Sequence, residues 1–173
     1  MWVYQKRLQY PVDIKKPDAR LAKVIMSQFG GPDGELGASQ RYLSQRYSMP
    51  ISEVAATLTD IGTEELAHME IVSTIVRQLL KGLSAEEIQE QGFAEYYTDH
   101  TAGVWPQAAS GQAFTTTMFQ SKGDPITDLF EDMGADATTV KEQPLFPRTR
   151  KPLILLAFRH FEAFHKNGIP AIT

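Results

Sequence analysis

The chain has 173 residues, a formal net charge of −4 and no cysteine. That length suits one domain with a sizeable core, and the near-balanced charge argues against a nucleic-acid surface. Without cysteine there is no disulfide, thiolate metal site or cysteine nucleophile, so any metal must be held by Glu, Asp or His.

Met1-Trp-Val-Tyr-Gln-Lys-Arg7 contains no apolar run of signal-peptide type, and no stretch approaches membrane-spanning length. Synthesis in the cytosol and no membrane partner are therefore expected. Residues 1–17 read as an extended arm, in which Val3, Tyr4, Leu8 and Tyr10 are interrupted by charge and closed by Pro11 and Pro17. Asp18 is a helix cap, followed by Leu21, Val24, Ile25 and Phe29 on one side of a helix that Gly30-Gly31-Pro32 breaks or bends.

Helical periodicity resumes after Asp33 with Leu36, Leu43 and Tyr47 on one face, and Met49-Pro50 ends it. Glu35 borders that face, either as a ligand or as a carboxylate favoured by the helix dipole. Tyr42 follows about two turns later, either orienting what Glu35 holds or serving as an ordinary half-buried aromatic.

Ser52 opens a long helix that runs to about Lys81 and stops at Gly82. Its core stripe is Val54, Leu58, Ile61, Glu65, His68, Val72, Ile75 and Leu79, stepping 4, 3, 4, 3, 4, 3, 4. Glu65 and His68 interrupt an otherwise apolar row. A lone Glu-x-x-His arises by chance in many helices, but on a buried stripe both groups are costly to desolvate unless they share a partner such as a metal ion. Glu64 and Glu70 fall off the stripe and read as solvated surface. A short amphipathic helix follows over residues 84–91.

From Gly92 to Gly123 the helical period fails, which points to a crossover containing a solvated His100 and a short strand from Ala113 to Phe119. Asp124-Pro125 then starts another helix with the row Ile126, Leu129, Met133, Asp136 and Val140, before Pro144; Glu131, Asp132 and Glu142 lie off that row. After a basic linker, Pro152 opens a last helix with Leu155, Phe158, Glu162 and His165 in register, while His160 points elsewhere. One carboxylate, Glu-x-x-His, one carboxylate and a second Glu-x-x-His on four successive helices form the pattern of an all-α, ferritin-like four-helix bundle holding two metal ions.

Three stretches sharpen that pattern: Gly30-Gly-Pro-Asp-Gly-Glu-Leu-Gly-Ala-Ser-Gln-Arg-Tyr42, Asp60-Ile-Gly-Thr-Glu-Glu-Leu-Ala-His68 and Gly123-Asp-Pro-Ile-Thr-Asp-Leu-Phe-Glu-Asp132. Over residues 1–134 the chain resembles the manganese catalase family, and within it the spore coat proteins of the CotJC type. With the length read as one ferritin-like domain over residues 1–173, the resemblance implies two manganese ions, with iron the alternative. It further implies disproportionation of hydrogen peroxide and association with other proteins of the spore coat, while the long crossover and the apolar arm point to a homo-oligomer. It makes Glu35 a terminal ligand, Glu65 a bridging carboxylate, His68 a ligand and Tyr42 a neighbour of the ligands.

The residues after 134 diverge. Where the family has Ala-Ala-Glu, this chain has Gly134-Ala-Asp136, so Asp136 stands in for a ligand one methylene longer. Glu162-x-x-His165 echoes the fourth-helix motif, with His165 as a ligand and Glu162 as an outer carboxylate that shuttles protons. A structural coat component with a degenerate or half-filled site is the rival expectation.

Overall fold

A computed structural model describes residues 3–31, 34–94, 115–119 and 122–142, the last eight of these by backbone alone. Its helices are α1 (Ala19–Gly30), α2 (Glu35–Gln45), α3 (Ser52–Leu79), α4 (Ala85–Glu90) and α5 (Pro125–Glu142). No strand occurs among the described residues. Residues 116–118 of the expected strand form a single 3-10 turn. No described helix is long and apolar enough to cross a membrane.

Two compact units are distinguished, Met1–Ala38 with Glu64–Met118, and Ser39–Thr63 with Phe119–Thr173. In the first, the arm is tied to α3 by side chains rather than by a ladder. The Tyr4 hydroxyl donates to Glu70 Oε1 at 2.6 Å, and Gln9 Nε2 donates to Glu64 Oε1 at 2.7 Å. Gln78 closes the arm's end, donating to Val12 O at 2.9 Å and accepting from Ile14 N at 2.7 Å. Glu70 is thus half-buried and engaged, not the free surface residue expected.

Asp18 caps α1 as expected, accepting from the Arg20 and Leu21 amides at 3.0 and 3.1 Å. The buried face of α1 differs from the expected one: Ala22, Ile25, Met26 and Phe29 are inside, while Leu21 and Val24 are 45% and 59% exposed. Bulk misleads at this point: the small Ala19 and Ala22 are both fully buried, on the face that turns inward. Ser84 and Glu87 form a reciprocal capping box that starts α4.

The stripe of α3 is as expected: Val54, Leu58, Ile61, Glu65, His68, Val72 and Leu79 are all buried, and Ile75 is half-buried. Gly82, with φ 83°, stands just beyond the helix, a conformation that glycine adopts freely.

In the second unit, α2 ends in the 3-10 turn Arg46–Ser48. Tyr47 is 80% exposed there, so it does not join the helix face; the Arg46 guanidinium lies over its ring, 4.7 Å from the centroid. Close approach of α2 and α3 is recorded at Gly62, where an added Cβ would meet Leu43 Cγ at 2.9 Å and Tyr42 Cβ at 3.2 Å. Ser39 Oγ also donates to Gly62 O at 2.7 Å. Replacing Gly62 by Ala gains about 1 kcal/mol of helix propensity, but overpacking costs about 1–3 kcal/mol. Gly62→Ala is expected to lose about 1 kcal/mol net and Gly62→Val roughly 3 kcal/mol, measured as urea-midpoint shifts.

The row expected on α5 is rotated. Asp128, Leu129 and Asp132 are fully buried, Ile126 is 36% exposed, and Met133 is half-buried. Buried carboxylates are tolerated where they are hydrogen-bonded. Asp128 accepts from the Lys122 and Gly123 amides at 2.6 and 3.0 Å, and Asp132 accepts from Gln45 Nε2 at 3.0 Å. Asp132, expected off the row, is therefore part of the interior.

Candidate metal centre

Three ionisable side chains converge in the first unit. Glu35 is the first residue of α2, and Glu65 and His68 lie on α3, where a spacing of three residues places both on one side. Glu35, Glu65 and His68 are 2%, 0% and 5% exposed. One ligand atom from each lies within 4.8 Å of the others, and no other group of three or more such residues is found among the described residues.

Orientation is set by the imidazole. Its Nδ1 is 3.0 Å from Glu65 Oε2 and 3.9 Å from Glu35 Oε2, so one ring nitrogen faces both carboxylates. The other nitrogen, Nε2, faces Glu64 Oε1 at 3.7 Å. Glu64 is 37% exposed on its side chain and was expected to be plain surface. Its i, i+4 relation to His68 on one helix is the one sequence signal that could have found it.

Charge suits the group to a cation. Two carboxylates and an imidazolium together carry −1, and a neutral imidazole leaves −2. Removing such a group from water costs several kcal/mol per ion unless opposite charge enters with it. Two oxygen donors and one imidazole nitrogen also fit a divalent ion of the manganese or iron type.

Tyr42 is fully buried, not half-buried. Asp136 lies within α5, but its side chain is outside the described residues, as are Glu162, His165, His100 and His160 altogether.

Comparison with known proteins identifies a family. The family model "Manganese containing catalase" matches residues 1–154. Protein CotJC of Bacillus subtilis is 47% identical over 136 residues, covering 79% of this chain and 71% of that protein. A probable manganese catalase of Clostridium acetobutylicum is 31% identical over 140 residues, 79% of this chain and 61% of that protein. The chain thus spans less than two thirds of the Clostridium protein's length. The crystal structure of wild-type KatB, a manganese catalase from Anabaena, superposes with a TM-score of 0.73 at 23% identity, covering 100% of this chain and 86% of KatB. That similarity establishes the fold as the ferritin-like helical bundle of these proteins. With most of its length matched by the family model, the chain belongs to the manganese-containing catalase family.

Proposed function

We propose that the chain disproportionates hydrogen peroxide to water and oxygen at a dinuclear manganese centre, in the spore coat. The observation that carries this reading is the buried trio Glu35, Glu65 and His68. In the proposal, Glu35, Glu65 and His68 would hold one ion, and Glu65, Asp136 and His165 would hold the other. When bound, a manganese pair would relay two electrons from one peroxide to another, each ion changing by one, and would polarise the substrate.

The protein's part is orientation, dryness and proton handling. The fully buried Glu65 carboxylate accepts but does not donate, and its Oε2 lies 3.0 Å from His68 Nδ1. Burial strengthens every electrostatic contact there. Oxidation of one peroxide releases two protons and two electrons, and reduction of a second peroxide to two waters consumes them. A carboxylate beside the site keeps those protons at hand, the role assigned to Glu162, while the buried Tyr42 hydroxyl orients the ligand shell.

The spore coat placement rests on the resemblance to CotJC-type proteins. The exposed Val3, Tyr4 and Tyr10 of the arm fit a homo-oligomer. A second reading, a coat building block with one metal or none, is favoured by Asp136 in place of a longer carboxylate. Metal analysis of the purified chain, paired with oxygen release from peroxide, separates the two. Near two manganese ions per chain with turnover supports the enzyme; one or none without turnover supports the building block.

A further inference from the structure

We propose that Glu64, steadied by Gln9 of the arm, is the positioning residue for His68, holding the ring so that Nδ1 is presented to the metal. This rests on the metal-site reading above. A histidine that ligates through one nitrogen needs its proton on the other, and a carboxylate accepting that proton both selects the tautomer and fixes the ring plane. Here Nδ1 lies 3.0 Å from Glu65 Oε2 and 3.9 Å from Glu35 Oε2; when an ion takes the place of the Nδ1 proton, the remaining proton is on Nε2, 3.7 Å from Glu64 Oε1. That separation is ion-pair range; contacts of this kind are commonly long until the site is filled.

Glu64 does not sit there by chance of rotamer alone. Gln9 Nε2 donates to the same Oε1 at 2.7 Å, drawing the carboxylate across α3 from the arm side. An oxygen accepts two donors through its two lone pairs, so the Gln9 bond and the His68 proton are compatible. The arm, otherwise a surface strap, thereby reaches the ligand through one intermediate side chain.

The test is titration of the full-length chain with Mn2+ and nitrogen-resolved NMR of the Zn2+-loaded protein, for wild type, Glu64→Ala, Glu64→Gln and Gln9→Ala. Glu64→Ala is expected to weaken Mn2+ binding by about 10–100-fold and to abolish the exchange-protected Nε2–H signal of His68. Glu64→Gln, whose amide oxygen still accepts, retains most of the affinity and the signal, and Gln9→Ala gives an intermediate loss. Far-UV circular dichroism establishes that each variant is folded. Unchanged affinity together with an unchanged His68 signal in Glu64→Ala overturns the positioning role alone. A wild-type chain that takes up neither ion overturns the metal site and this role with it.

Discussion

In the Glu65→Ala variant, manganese no longer raises the melting temperature, while the metal-free protein melts at or above the wild type. A ligand present at 100 times its Kd stabilises the folded state by about 2.7 kcal/mol. In a chain of this size that is a rise of roughly 5–11 °C, and all of it should vanish. The metal-free protein is spared because the cluster carries two carboxylates against one imidazole. Removing Glu65 leaves Glu35 and His68, 3.9 Å apart, as a balanced pair. Relief of a buried excess charge offsets the lost packing. Glu65→Gln, which keeps the volume, separates the two contributions and should show the same loss of the manganese response. Full manganese uptake in either variant rules out the bridging role.

Gly34→Ala should damage both the fold and the site. A Cβ at Gly34 would lie 2.9 Å from Gly31 N, 3.1 Å from Gln28 O and 3.1 Å from Gly30 N, all backbone atoms that cannot swing aside. Gly34 also donates its amide to Gly31 O at 3.0 Å and accepts from Ala38 N at 2.9 Å, so moving it disturbs the turn and the first turn of α2 together. The expected loss is about 2–3 kcal/mol of stability. Because Glu35 is the next residue, and ligand geometry tolerates shifts of only about 0.5 Å, manganese affinity should also fall by roughly tenfold or more. Gly134→Ala is the contrast: nothing lies within 4 Å of its added Cβ. It should stabilise by about 0.5–1 kcal/mol through helix propensity. Urea midpoints and manganese titration measure both effects. A Gly34→Ala protein equal to wild type in both would mean that the turn adapts.

Legibility in the sequence followed how strongly each element repeats. The 28-residue α3 has enough turns for its stripe to be read without ambiguity, and the same reading exposed Glu65 and His68 as polar groups turned inward. Short or polar-faced helices were less readable. On α1, two small alanines are buried and two bulkier residues are not; on α5, Asp128 and Asp132 are buried and hydrogen-bonded, which no hydrophobicity pattern reports. Tyr47 left its expected face because the helix tightens to a 3-10 turn one residue earlier. Glu64 escaped notice because its importance arises from Gln9, 55 residues away in the chain. The meeting of Glu35 with the α3 pair is likewise a tertiary fact, and the family resemblance anticipated it where periodicity alone left two readings open.

Crystals of the full-length chain grown with manganese, measured at the manganese absorption edge, test the central claim most directly. The expected result is an anomalous peak bounded by Glu35, Glu65 and His68, within coordination distance of His68 Nδ1. Bound manganese located elsewhere, with that trio closed on itself, would contradict it.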